Sequence, residues 1–193
     1  MSVFEYFEKM RGGGKGPPGV LGLELVWSWT GALLGIGACA YLSAKYFEPR
    51  DLTLLIGSFG ASAVLVYGAV KSPLAQPRNL VGGHILSGLT GAACFYLFGG
   101  VIWFAAAMAV SSSIVLMLAT RTLHPPGGAT ALIAVIGGAK VHSLGFLYAF
   151  LPAGAGAVIL LIVALLVNNL ASSIAKCNTW GSYATLSVYA KII

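Results

Sequence analysis

Five apolar runs of close to membrane-spanning length, and a sixth that is too short, leave this chain few folds to choose from. They cover about Leu25 to Ala44, Leu52 to Val70, Leu80 to Phe98, Val101 to Thr120 and Phe146 to Leu170, with the short one from Ala129 to Ala139. In hydrocarbon every backbone N–H and C=O must be satisfied within the protein, and a helix of about 20 residues does this while crossing the core. The short run would rise only roughly 16 Å as a helix, about half that thickness. The composition agrees: the chain is 58% hydrophobic and 8% charged, where a soluble domain holds about a quarter charged residues. We read an all-α membrane protein of about six helices, the fifth short and broken at its start by proline and glycine. Residues 1–20 read as an amphipathic lead (Phe4, Tyr6, Phe7) and a flexible tether, 21–170 as the transmembrane domain, and 171–193 as a C-terminal tail.

Charge placement orients these segments. With six crossings, Lys9, Arg11, Lys15, Lys71, Arg78, Arg121, Lys176 and Lys191 fall on one side, and Lys45, Arg50 and Lys140 on the other. The richer side is the cytoplasmic or stromal one by the positive-inside rule, with both termini on it. The net charge of +6 is scattered rather than clustered with aromatics, so it speaks for topology and against nucleic acid.

The break before the short run reads Arg121-Thr122-Leu123-His124-Pro125-Pro126-Gly127-Gly128. Two prolines remove two donors and bar the preceding residue from helix. A fainter twin reads Gln76-Pro77-Arg78-Asn79 through Gly82-Gly83-His84. Both show a polar residue before proline, a nearby arginine and a glycine pair, and both are expected to face the same side. Breaks in corresponding positions are a pointer to a transporter's binding site. Helix N-termini offer amides and a positive dipole end to an anion, and Arg78 and Arg121 would add fixed charge. His84 shares a helix face with Ser87, Gly88 and Gly91, a narrow polar stripe suited to a pathway wall. Gly31 and Gly35 read as a helix-packing pair, and the small-residue faces suggest a homo-oligomer.

What is absent narrows the chemistry. The acidic residues are Glu5, Glu8, Glu24, Glu48 and Asp51, all in loops, the lead or near a segment end, so a carboxylate-lined cation site is not expected. Cys39, Cys94 and Cys177 share no metal-ligand spacing with His84, His124 or His142. No nucleophile motif or carboxylate pair points to an enzyme, and no metal or cofactor is expected.

His124-Pro125-Pro126-Gly127-Gly128-Ala129-Thr130, with Gln76-Pro77-Arg78-Asn79, Gly83-His84 and Val167-Asn168-Asn169, resembles the HPP family of integral membrane proteins over about Trp27 to Leu170. Cyanobacterial and chloroplast members are nitrite transporters, and the resemblance implies that activity here. It implies a bacterial plasma membrane or a chloroplast inner envelope as the location. By carry-over, His124, Arg121, His84, Arg78, Asn79, Gly83, Gly127, Gly128 and Thr130 would bind nitrite or line its path. Pro77, Pro125, Pro126, Asn168 and Asn169 would shape and brace the broken backbone. The rival reading is a non-transporting assembly or sensing protein whose polar break is an internal brace.

Overall fold

The computed structural model describes residue 7 and residues 19–20, 22–50 and 54–170. The lead and tether at 1–20 and the tail at 171–193 lie almost wholly outside the described residues. Four helices are long and apolar enough to cross a membrane: α1 (Gly22–Phe47), α3 (Pro77–Phe98), α4 (Ile102–Ala119) and α6 (Gly145–Leu170). Two shorter apolar helices, α2 (Ser58–Gly68) and α5 (Pro125–Ile136), lie between them. The all-α, roughly six-helix expectation holds, and so does the short fifth helix.

The second segment differs from expectation: it is short as well. Residues 54–56 are not helical; Leu54 and Ile56 are buried while Leu55 is exposed, the alternation of an extended strand of chain. Extended backbone at this depth needs outside partners, and the Ser43 hydroxyl supplies one by accepting from the Leu54 amide at 3.2 Å. The proline pair starts the short fifth helix, as expected. His124 is extended (φ −136, ψ 105), as a residue before proline must be, and Pro125 and Pro126 form the first turn of α5. Gly127 and Gly128 therefore lie inside the helix. Pro77 likewise opens α3, from an extended Gln76. In α6 the expected bend is present, with non-helical Leu151 (φ −138, ψ 108) beside Pro152.

Successive elements run in alternating directions. The α3–α4 hairpin turns at Gly99–Gly100. α1 lies antiparallel to α6, with the Cys39 thiol 3.8 Å from the Gly156 carbonyl. Lys71, Arg78 and Arg121 thus collect at one end of the bundle, and Lys45 and Lys140 at the other. We call these the arginine side and the hairpin side.

The order long–short–long occurs twice, as α1–α2–α3 and α4–α5–α6. Gly60-Ala61-Ser62-Ala63-Val64-Leu65 in α2 matches Gly128-Ala129-Thr130-Ala131-Leu132-Ile133 in α5 at a spacing of 68 residues, and the same spacing separates the starts of α3 and α6. With three elements each, the halves enter the membrane from opposite sides, an inverted repeat of the kind many transporters use. This register differs from the one read between 71–84 and 121–128. Those two stretches meet in space on the arginine side, but they are not equivalent positions of the two halves.

Small residues let the helices close. The Tyr67 ring of α2 lies across Gly31 and Gly35 of α1, and its hydroxyl donates to the Leu160 carbonyl at 3.0 Å. On α3, a Cβ at Gly88 would fall 2.7 Å from Ala149 Cα, and Gly83 abuts the His124 side chain. The face carrying Ser87, Gly88 and Gly91 is thus packed shut against α5 and α6 rather than lining an open wall.

Candidate functional site

Two short helices end inside the bundle, and their polar side chains must find partners there. α2 supplies Ser58 and Ser62, α5 supplies Thr130, α3 supplies His84, and His124 precedes α5. All five are 1% exposed or less. His84 lies seven residues into α3, roughly 10 Å along the helix, and its ring centroid is 5.2 Å from that of His124.

Ser62 joins the two histidines. Its Oγ lies 2.8 Å from His84 Nε2 and 3.0 Å from His124 Nε2. The other nitrogen of His84, Nδ1, is 2.7 Å from Thr130 Oγ1, which is 2.8 Å from Ser58 Oγ. His124 Nδ1 is 2.9 Å from the Leu74 carbonyl. Ser62 and Thr130, the matched positions of the two repeats, therefore grip the two nitrogens of one imidazole. The Tyr148 hydroxyl of α6 donates to the Thr130 carbonyl at 3.1 Å. Tyr148 also lines a groove of about 560 Å³ on the hairpin side, with Phe95, His142 and Phe146. The groove thus approaches the histidine pair to within one residue.

The arginine side is organised by the end of α4. Arg121 has φ 56, and the Arg121 and Thr122 amides donate back to Leu118 and Met117 carbonyls at 3.1 and 2.8 Å. This is the Schellman closure, in which glycine usually holds the left-handed position. An exposed arginine there costs of order 1 kcal/mol relative to glycine. Arg78 donates to the Thr120 carbonyl, capping α4, and Asn79 Nδ2 donates to the Leu123 carbonyl at 2.7 Å. These two residues hold the 120–124 turn, which sets His124.

The remaining expected site residues separate. Thr130, expected at the site, stands in the buried chain. The Gly127 amide donates to the His124 carbonyl at 2.8 Å, and Pro125 and Pro126 have none to give, so the first turn of α5 holds few amides for an anion. Gly128 faces an apolar groove with Val110, Ile114 and Leu132. Gly83 is a contact surface for the His124 side chain. Asn168 is buried and donates to the Val66 carbonyl at 3.0 Å, bracing the end of α2, whereas among the described residues exposed Asn169 donates to Leu165 of its own helix. Asn168→Ala is expected to cost about 1–3 kcal/mol for the orphaned buried carbonyl, and Asn169→Ala less than about 0.5 kcal/mol as a surface change; thermal unfolding in detergent checks the contrast. Ser58, Ser62 and Tyr148 were not singled out from the sequence. The match of Gly-Ala-Ser-Ala to Gly-Ala-Thr-Ala was the available signal for Ser62. Among the described residues no group of three or more His, Cys, Asp or Glu could hold a metal ion.

The profile of the family described as "HPP, transmembrane region" matches residues 17–176. A transmembrane protein of Dictyostelium discoideum is 45% identical over 170 residues, covering 86% of this chain and 54% of its own length. A second transmembrane protein of that organism is 44% identical over 176 residues, covering 89% of this chain and 61% of its own. The chain thus spans between half and two thirds of these relatives. No solved structure matches. A profile match over most of the chain, carrying both proline-led helix starts and both buried histidines, places it: the chain belongs to the HPP family of integral membrane proteins.

Proposed function

We propose that this protein carries a small inorganic anion, nitrite in the first place, across the membrane past the His84–His124 pair. One observation carries the reading. Two imidazoles and three hydroxyls, with no carboxylate, meet where two short helices of an inverted repeat end. Ionisable groups at such depth are costly and mark transport paths or their gates, and a site without carboxylates suits an anion. Arg121 on the arginine side would attract the anion, with Arg78 and Asn79 holding the turn. Tyr148 would close the hairpin-side groove in the conformation described. The nitrite assignment comes from the family resemblance and would place the protein in nitrogen assimilation, in a bacterial plasma membrane or a chloroplast inner envelope.

Arg121→Gly tests the attraction directly. Glycine relieves the left-handed backbone, so the variant should be as stable as the parent or more so by up to about 1 kcal/mol, while nitrite uptake at low ionic strength falls. Unchanged uptake by the folded variant would remove Arg121 from the path.

A second reading has its own support. Each nitrogen of the histidine pair already has a partner inside the protein, as a structural brace in a sensing or assembly protein would require. Nitrite uptake by vesicles holding the purified chain, against protein-free vesicles and with nitrate and chloride as competitors, separates the readings. Uptake above background supports transport; none under any gradient supports the brace.

A further inference from the structure

We propose that the buried chain Thr130–His84–Ser62–His124 relays a proton, so that the anion crosses in company with one. This rests on the transport reading above.

The direction of every hydrogen bond in the chain follows from its last member. The Leu74 carbonyl can only accept, so His124 Nδ1 carries a proton. In a neutral imidazole His124 Nε2 is then an acceptor, and Ser62 must donate to it. Ser62 has one proton, so it accepts from His84 Nε2. His84 Nδ1 is thereby left an acceptor, filled by the Thr130 hydroxyl, which would otherwise donate to Ser58 Oγ at 2.8 Å. Two competing carbonyls are farther: Ser58 O at 3.2 Å from Ser62 Oγ and Pro126 O at 3.3 Å from Thr130 Oγ1. Donation to either would leave an imidazole nitrogen without a donor. The result is an unbroken, singly directed line of donors, all pointing toward the arginine side.

Such a line moves a proton without moving an atom far. A hydronium ion gives its proton to Thr130 Oγ1. Thr130 gives its proton to His84 Nδ1, His84 Nε2–H goes to Ser62, and Ser62 gives its proton to His124 Nε2. For each O–H or N–H bond formed one is broken, and the charge arrives as the His124 imidazolium. Leu74 cannot take a proton, so transfer stops there until a base on the arginine side, nitrite or water, removes the Nδ1 proton. The bare Nδ1 then faces the Leu74 carbonyl lone pairs, a repulsion that favours turning the hydroxyls back to the starting state. An anion near Arg121 would thus meet additional positive charge only after the proton has come. No carboxylate lies on the elements packed around the pair; besides the two histidines, the titratable group facing them is Tyr148, through Thr130.

A nearby acceptor adds to this. Gln76, two residues beyond Leu74, is buried, and its Oε1 has no hydrogen-bond partner among the described residues. Its Nε2 donates to the Ser72 carbonyl, which fixes the amide's orientation. An orphaned acceptor suits a proton-bearing species, a water or a protonated acid, better than a bare anion.

The test uses the full chain in vesicles with a trapped pH dye, voltage clamped at zero by potassium and valinomycin. The medium is mildly alkaline, so that nitrous acid leaking through lipid is scarce, and protein-free vesicles give the background. With a nitrite gradient the lumen should acidify in step with nitrite uptake. Thr130→Val, which keeps the shape and removes one link, should lower coupled acidification by about a hundredfold, the scale of a lost proton-transfer group, and Thr130→Ser should restore it. Nitrite uptake with an unmoved lumen pH, or Thr130→Val acidifying like the parent, overturns the relay and leaves transport standing. Proton flux under an imposed voltage, blocked by Thr130→Val, with no nitrite uptake, keeps the relay and removes the transport reading. Neither flux in folded protein removes both.

Discussion

Ser62→Ala should destabilise this protein more than His84→Leu, although it removes one oxygen and the other removes a ring. Ser62 bonds the Nε2 atoms of both histidines, and no other donor or acceptor to either atom is present among the described residues. Its loss orphans two buried nitrogens at about 1–3 kcal/mol each, so about 2–6 kcal/mol in all. His84→Leu removes a hub whose neighbours have alternatives. Ser62 keeps its donation to His124 Nε2, and Thr130 can turn to the Pro126 carbonyl. Leucine has a comparable volume and suits the Phe59 ring, now edge-on to His84 at 5.4 Å. The expected cost is about 1–2 kcal/mol. Thermal unfolding of the two variants in one detergent gives the order, and the reverse order would mean that the hydrogen-bond pattern around Ser62 is not as described.

Gly91→Ala is expected to be strongly disruptive for a single methyl addition. A Cβ there would lie 2.5 Å from the Ala131 carbonyl oxygen, 2.7 Å from Ala134 Cβ and 2.9 Å from Ala131 Cα. Two of these atoms are backbone, so no rotamer change gives way and α5 must move off α3. Overpacking of this kind costs about 1–3 kcal/mol, sometimes more. The displacement also draws Thr130, one residue before Ala131, away from His84, so transport should fall with stability. Gly37→Ala and Gly100→Ala are the controls: nothing lies within 4 Å of either added Cβ, and their effects should stay within about 0.5 kcal/mol. A Gly91→Ala protein as stable and active as these controls would contradict the close α3–α5 contact.

Much of this architecture was legible in the chain. The long apolar runs place α1, α3, α4 and α6, because a membrane helix announces itself by length and composition. Pro152 and its glycines announced the bend in α6. The second segment misled because Leu54 to Val70 is apolar throughout; composition cannot tell a half-span of helix after extended chain from a full helix. A remote partner, the Ser43 hydroxyl on α1, accepts from the Leu54 amide of the extended part. The prolines at 125 and 126 announced the start of α5, since proline suits a first helical turn and bars the residue before it from helix. Of the candidate site, His84, His124 and Thr130 were named and do converge. Ser62 was not, because a serine among small residues in an apolar run carries no mark until the second half of the chain is laid over the first. Arg78, Asn79 and Gly127 were picked for an anion and are found holding backbone, a distinction that depends on which carbonyl or amide lies opposite.

His84→Leu now serves a second purpose, because the account expects it to fold. Nitrite uptake into vesicles by this variant, compared with the parent at equal reconstituted amounts, is the most direct test of the central claim that the anion passes the histidine pair. The account predicts a stable protein whose uptake has fallen to the protein-free background. A folded His84→Leu protein that takes up nitrite at the parent's rate would contradict it and leave the histidine pair as a structural brace.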